Sequence, residues 1–304
     1  MRAFSWFLAL IVAALASMAL FTYPAWLLLH PYFDFPFQRI GDRIAMLTLL
    51  GGLILIARRL QLTDRASWGY GLAGRPFLRA MGVGLALGVA SMAAVVGIMS
   101  WLGLLDWTRA AALPPAAWAA LVGERLLNGL AVALIEETFA RGAMFTAIER
   151  ESGIWPAIAL TSVIFSLSHF VSKYPIPAEA VSPWSGLQQL EGSFRALAQP
   201  LGIADAFLAL LAVGVVLAAI RGRTGNIAAC LGLHAGWVWV MLVTQATSSP
   251  ATGTPLAFLL SRHDGNFAGA GFVGWLVFGW TVALGPVLVR LAAGRRIAGP
   301  ALAA

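Results

Sequence analysis

Charged residues are scarce in this sequence. Only 11% of the chain is Asp, Glu, Lys or Arg, whereas 60% is hydrophobic. Soluble domains have about 25% charged and about 45–50% apolar residues. This shortage of charge excludes an ordinary soluble domain, and the long apolar runs predict a membrane protein with several spans.

Cysteine is also nearly absent. The single Cys230 excludes an intramolecular disulfide, and we interpret it as a small residue packed between helices. The net charge of +7 comes mainly from arginines that flank apolar segments. It indicates an orientation signal and contact with anionic lipid, and we expect no nucleic-acid partner.

Eight apolar segments can be counted along the chain. They predict an all-α polytopic membrane protein with about eight transmembrane helices in a single membrane domain, 1–304. The first could be a signal peptide, because Ala16 to Ala19 resemble a cleavage site, but its apolar run continues further and favours an uncleaved anchor. The predicted segments are 4–29, 40–57, 77–105, 126–148, 154–171, 203–220, 226–244 and 271–293.

These segments fall into three parts. Residues 1–125 hold the first three spans and a connection that includes 106–125, which we predict to be a loop or a surface helix. Residues 126–246 form the predicted catalytic core, and 247–304 hold a loop and the last helix. Twelve Lys and Arg residues fall on one predicted side and seven on the other. This bias predicts that both termini are cytoplasmic, and we expect an integral protein of the bacterial inner membrane.

The fourth segment, 126–148, carries Glu136, Glu137 and Arg141 near its middle. A charge at that depth costs several kcal/mol, about 2.5–3.5 on the lower scales, so it is tolerated only when it faces protein or water. Residues four apart share a helix face, so Glu137 and Arg141 are expected to form an ion pair. A structural ion-pair network is the alternative to a functional site.

Glu136 points about 100° away from Glu137 on an ideal helix. It lies in register with small residues, which let membrane helices approach closely. We therefore expect Glu136 to face the interior of the bundle with no partner in its own helix. The small residues are Gly129, Ala133, Ala140, Ala143 and Ala147.

Two other segments carry a histidine. Phe165 and His169 share a face of the fifth segment, and His234 lies in the seventh. If the fourth, fifth and seventh helices touch, Glu136 faces two imidazoles. These three residues could hold zinc with an open position for water. Alternatively, Glu136 could be a general base on a water that His169 helps to hold, while His234 stabilises the oxyanion. Both routes hydrolyse an acyl bond with water.

The chain resembles the CAAX prenyl endopeptidase and bacteriocin-processing family of intramembrane proteases. Its Glu-Glu-x-x-x-Arg motif is matched by Glu136, Glu137 and Arg141, its Phe-x-x-x-His motif by Phe165 and His169, and the histidine of its third motif by His234. The resemblance implies eight helices, with Glu136 and His169 activating water and the third motif binding the oxyanion.

The third motif departs from the family at its last position. The family has Asn or Asp there, and this chain has Val238, which cannot donate a hydrogen bond. The preceding Trp237 carries an indole N–H and could replace the missing donor. Family members are often called metalloproteases, but the glutamate mechanism needs no metal. We favour no cofactor, with zinc as the open alternative.

The expected function is an endopeptidase that acts on a membrane-associated peptide or protein in the lipid bilayer. The first alternative is a non-catalytic peptide-binding or immunity protein of the same fold, which the departure at Val238 favours. The second is a proton-coupled transporter, because Glu and His also build proton relays. The three motifs and the absence of inverted repeats favour the protease.

Overall fold

The computed structural model describes residues 1–171, 174–263 and 269–293. The predicted all-α architecture is confirmed, because the only strands in these ranges are two residues each, β1 (Leu105–Asp106) and β2 (Ser249–Pro250), paired antiparallel. A π-helix (Thr138–Met144) joins α5 to α6, and 3₁₀ turns occur at Ala178–Ala180 and Ala257–Leu259. The α-helices are α1 (Arg2–Leu29), α2 (Phe37–Ala57), α3 (Gly74–Trp101), α4 (Thr108–Ala111), α5 (Pro115–Glu137), α6 (Phe145–Ser152), α7 (Ile154–Ser168), α8 (Ser185–Ser193), α9 (Pro200–Thr224), α10 (Ala228–Thr247) and α11 (Trp275–Ala293).

Seven helices in the described part of the chain are long and apolar enough to cross a membrane. The protein is therefore an integral membrane protein of the polytopic class. The predicted fifth segment forms an apolar helix that is shorter than these seven. Its helix, α7, has 15 residues and is about 22 Å long at 1.5 Å per residue. This is less than the roughly 30 Å of a hydrocarbon core.

The helix that carries Glu136 and Glu137 is longer than the sequence predicts. The segment assigned as a loop or surface helix contains the start of α5, and the helical run continues for 38 residues, Pro115–Ser152. Pro115 is accepted at the first helical position, where its missing N–H is not needed. Gly153 ends the run with a φ of 88°, which glycine adopts without strain.

A π-helix, Thr138–Met144, interrupts this run directly after Glu137. π-Helical turns are rare in proteins, and those that occur are often found at functional sites. The side chain of Arg221 on α9 supports this one: its Nε donates to the carbonyl of Arg141 at 2.9 Å, and its Nη2 donates to Thr146 Oγ1 at 2.9 Å. The regular α-helical spacing that the sequence suggests for this segment does not predict the π-helix.

Helices α3 and α10 pack through glycine. A Cβ at Gly232 would lie 1.9 Å from the carbonyl oxygen of Met81, and a Cβ at Gly84 would lie 2.3 Å from that of Ala229. Any larger residue would push these backbones apart, which is the usual logic of small residues between membrane helices. This contact fixes α10 and therefore the position of His234.

The helices alternate in direction between two ends of the bundle. We call the end at Arg2, Arg58 and Ser152 the basic end. There the backbone N–H groups of Arg2 and Ala3 donate to Glu151, and Arg150 Nη1 donates to the carbonyl of Gln61 at 2.7 Å. The β1–β2 pair lies at the opposite end. Three residues of the predicted charge bias, Lys173, Arg295 and Arg296, lie outside the described residues.

Candidate functional site

Glu137 and Arg141 form the ion pair that their spacing predicts. Both side chains are fully buried, and Arg141 Nη1 lies 3.0 Å from Glu137 Oε1. Arg141 also donates from Nη2 to the carbonyl of Gly214 at 3.1 Å, and its guanidinium lies 4.3 Å from the ring centroid of Phe165. The pair is thus anchored to α9 and α7, where an unpaired charge would be costly.

His234 shares the same glutamate. Its Nδ1 lies 2.9 Å from Glu137 Oε1, so one carboxylate oxygen contacts both Arg141 and His234. Because a carboxylate only accepts, Nδ1 carries the proton and Nε2 is turned toward Glu136. Sequence reasoning missed this bond, because the two residues are 97 positions apart and no local spacing reports such a contact.

His169 directly follows the last residue of α7, where the chain leaves the helix. Its Nδ1 lies 2.7 Å from the carbonyl oxygen of Phe165, which can only accept, so this nitrogen also carries the proton. Its Nε2 lies 4.0 Å from Glu136 Oε2, and His234 Nε2 lies 3.9 Å from the same oxygen. The three residues that the sequence placed together therefore converge on one point.

Phe165 is the packing element between these groups. Its ring centroid lies 4.7 Å from that of His169 and 5.7 Å from that of His234. It also carries the guanidinium of Arg141 on its face. Phe165 therefore contacts both imidazoles and the ion pair, which restricts the orientation of each ring.

Glu136 lies at the wall of a cavity of about 320 Å³. Its side chain is 34% exposed, yet its Oε2 is buried and accepts no hydrogen bond within the described part of the chain. Apart from the ionisable groups and Ser168, the wall is apolar or aromatic. Its apolar residues include Met92, Val132, Leu210, Val213, Met241, Val273 and Val277.

Trp237 and Val238 also line the cavity. The indole N–H of Trp237, however, donates to Ser91 Oγ on α3 at 2.9 Å. This bond conflicts with the prediction that the Trp237 N–H replaces the hydrogen-bond donor missing at Val238, because the N–H already donates to Ser91. Ser168 Oγ, the other polar group of the wall, donates to the carbonyl of Phe165 at 2.8 Å.

The donor types at this point suit a metal ion. Glu136 Oε2 and the two Nε2 atoms face each other, and each imidazole has its Nδ1 held by an acceptor, as in most zinc-ligating histidines. Their separations of 3.9 and 4.0 Å exceed the roughly 3.3 Å expected between tetrahedral zinc ligands at about 2.0 Å. No set of three such residues in the described ranges meets metal-site geometry.

The loop between α2 and α3 packs against the same region. Tyr70 Oη and Thr138 Oγ1 lie 2.5 Å apart, and a Cβ at Gly142 would lie 2.6 Å from the carbonyl oxygen of Trp68. From the sequence, the arginines of this loop indicate only an orientation signal. Its contacts with the π-helix could not be read from the sequence, since they join residues about 70 positions apart.

Comparison with protein families gives one match. Residues 115–240 match the family described as type II CAAX prenyl endopeptidase Rce1-like. This part of the chain, 126 of the 304 residues, is similar to the Rce1-like family. It contains both glutamates, Arg141 and both site histidines, and the match confirms the family resemblance. The Rce1-like family is a protease family, so the match supports a CAAX-type intramembrane protease at family level. No curated protein and no solved structure matches the chain.

Proposed function

We propose that this protein is an intramembrane endopeptidase that hydrolyses a peptide bond of a membrane-associated peptide or protein. One observation carries the proposal: the buried Oε2 of Glu136, which accepts no hydrogen bond from the described residues, lies within 4.0 Å of Nε2 of both His169 and His234 at the wall of a mostly apolar cavity. A reacting water held between these three groups would contact the carboxylate and both imidazoles.

The water would donate one hydrogen bond to Glu136 and one to His169, since both cavity-facing atoms are acceptors in this protonation state. Glu136 takes a proton as the water oxygen attacks the peptide carbonyl carbon. The carbonyl oxygen becomes an oxyanion. When the C–N bond breaks, Glu136 returns the proton to the leaving amine, and a carboxylic acid and an amine are released.

The oxyanion requires a hydrogen-bond donor. His234 keeps a proton on Nδ1 for Glu137, so its Nε2 donates only when the ring is an imidazolium. Glu137 accepts the hydrogen bond from Nδ1 and fixes the orientation of the ring, while Arg141 holds the Glu137 carboxylate in place. Glu137 is therefore proposed as the positioning residue of His234, and Arg141 as the positioning residue of Glu137.

Zinc is the alternative electrophile. If present, it would be held by Glu136, His169 and His234 and would polarise the carbonyl or the water. We favour the metal-free route, because these groups lie farther apart than tetrahedral zinc ligands do.

The test compares cells that express the wild-type protein with cells that express Glu136→Gln. New protein N-termini in the membrane fraction are measured by mass spectrometry. We expect a small set of cleavage sites that occur with the wild type and disappear with the variant at equal protein abundance. Identical sets of termini would contradict the proposal.

A second function, a non-catalytic peptide-binding or immunity protein, is favoured by one feature. Val238 lies on the cavity wall at the motif position where the family has Asn or Asp. The indole N–H of the adjacent Trp237 donates to Ser91. In that case the wild type and Glu136→Gln would bind the same membrane peptides, and neither would release cleaved product.

A further inference from the structure

The loop between α2 and α3, residues 58–73, contacts the π-helix at two points. Tyr70 Oη lies 2.5 Å from Oγ1 of Thr138, the first residue of the π-helix. The carbonyl oxygen of Trp68 approaches the backbone so closely that a Cβ at Gly142 would lie 2.6 Å from it. The loop therefore contacts the π-helix both at its start and near its middle.

Between these two contacts, Gly69 holds the start of α10. Its carbonyl accepts from the backbone N–H of Ile227 at 3.0 Å, and Ile227 directly precedes α10. Gly69 has a φ of 83°, and a Cβ there would lie 2.6 Å from Ile227 Cγ2, so glycine is the residue that fits this position. His234 follows Ile227 by about two helical turns. Residues 68–70 thus join the π-helix to the helix that carries His234.

The hydrogen bond between Tyr70 and Thr138 has a defined direction. Thr138 Oγ1 donates its single proton to the carbonyl of Leu134 at 2.6 Å, so it accepts from the Tyr70 hydroxyl. The Tyr70 ring stacks on Phe77 of α3 with its centroid 5.7 Å away, which orients the hydroxyl. Thr138 points about 200° away from Glu136 on a regular helix. Tyr70 therefore contacts α5 on a face turned away from the cavity.

The π-helix requires such support, because it replaces the more common α-helical turn. Conversion of this segment to an α-helix would turn the residues before it by roughly 100° relative to those after it, the angle of one residue. Glu136 and Glu137 lie directly before the π-helix. The 2.9 Å contact between Glu137 Oε1 and His234 Nδ1 joins the same two helices that residues 68–70 hold. Conversion would therefore turn both glutamates away from His234.

We propose that Tyr70 is a positioning residue of the endopeptidase site, a role that rests on the function proposed above. Tyr70 acts through Thr138: its hydroxyl holds the start of the π-helix and thereby keeps Glu137 in reach of His234. Tyr70 precedes the matched residues 115–240. The N-terminal part of the chain thus contributes to a site whose reacting groups all lie in the matched part.

Substitutions that change only hydroxyl groups test this role. Tyr70→Phe keeps the stacked ring and removes the donor, Thr138→Val removes the acceptor, and Thr138→Ser keeps it. With a peptide that spans a cleavage site found in cells, we expect kcat of the first two variants to fall by about 2–10-fold, the effect of one hydrogen bond. KM and Tm are expected to stay nearly unchanged, and Thr138→Ser should retain the wild-type kcat.

A double variant shows whether the two hydroxyls act together. Because both changes break the same bond, Tyr70→Phe combined with Thr138→Val is expected to have the kcat of Thr138→Val alone. Tyr174→Phe is the matched control, since it removes a hydroxyl that accepts from Arg195 at an exposed position. A wild-type kcat in Tyr70→Phe, additive losses in the double variant, or an equal loss in Tyr174→Phe would overturn the role.

Hydrogen exchange distinguishes a wrong positioning role from a wrong function. Exchange of the backbone amides of Thr138–Met144 is measured by mass spectrometry in detergent, with and without Glu136→Gln, because this readout needs no turnover. We expect Tyr70→Phe to speed exchange there and not in α11, and Tyr174→Phe to have no effect. Unchanged exchange in Tyr70→Phe would overturn the proposal. Faster exchange in a protein whose wild type cleaves no peptide would support the contact and contradict only the endopeptidase function.

Discussion

Nδ1 of His234 lies 2.9 Å from Oε1 of Glu137, the oxygen that also accepts from Arg141 at 3.0 Å. This relationship joins the first and third motifs of the site through one buried atom. Arg141 orients Glu137, Glu137 orients His234, and His234 then faces Glu136. A change at any of these residues is therefore expected to affect the geometry of the whole site.

Removal of Arg141 tests the structural side of this chain of contacts. Arg141→Ala leaves a buried carboxylate without its main partner, and breaking such a pair costs about 3–5 kcal/mol. We expect a lower Tm in detergent together with reduced cleavage. Arg125→Ala is the control, because its pair with Glu124 is partly exposed and such pairs contribute about 0–1 kcal/mol. Equal Tm values for both variants would count against the buried pairing.

Arg221 is expected to position the site through the π-helix. Arg221→Gln removes a donor from the carbonyl of Arg141 and from Thr146, and an unsatisfied buried polar group costs about 1–3 kcal/mol. We expect kcat to fall more than KM rises, since the shifted groups act on the reacting bond. The control is Arg223→Gln, which is exposed in the same helical turn. Similar kinetics for both variants would exclude the positioning role.

Most of the fold, and part of the site, can be predicted from the sequence. Apolar length and period predicted the helices, and the spacing of Glu137 and Arg141 predicted their pair. The short α7 was not predicted, because the apolar run continues past His169 after the helix has ended. The π-helix, the bond between Glu137 and His234, and Arg221 depend on contacts between distant segments, which no local pattern encodes.

Substitutions at Val238 and Trp237 distinguish two explanations of how the oxyanion is stabilised. Because the indole N–H already donates to Ser91, Trp237→Phe is expected to lower Tm slightly and leave kcat nearly unchanged. Val238→Asn adds a donor to the cavity wall and should raise kcat, since one oxyanion donor is worth about 10²–10³ in rate. A large loss of kcat in Trp237→Phe with unchanged Tm would instead show that the indole moves to serve the oxyanion.

Metal content distinguishes the two chemical routes. We expect a purified, active sample to contain no stoichiometric zinc, and chelators to inhibit weakly, because the Nε2 atoms lie 3.9 and 4.0 Å from Glu136 Oε2, farther than the roughly 3.3 Å between tetrahedral zinc ligands at about 2.0 Å. The measurement is elemental analysis paired with a cleavage assay before and after chelation. If the sample contains stoichiometric zinc, if activity is lost when the zinc is removed, and if added zinc restores it, the metal route is correct and the glutamate route is wrong.

Glu136 is proposed as the base that activates water, and purified Glu136→Gln tests this role most directly. Wild type and variant are reconstituted in liposomes with a peptide that spans a cleavage site found in cells, and single-turnover cleavage is measured. Glutamine has the same shape but cannot take the proton, and a general base contributes typically about 10²–10⁴ in rate. The account predicts a loss of at least about 10² in rate with an unchanged Tm. Cleavage by Glu136→Gln at the wild-type rate would contradict it.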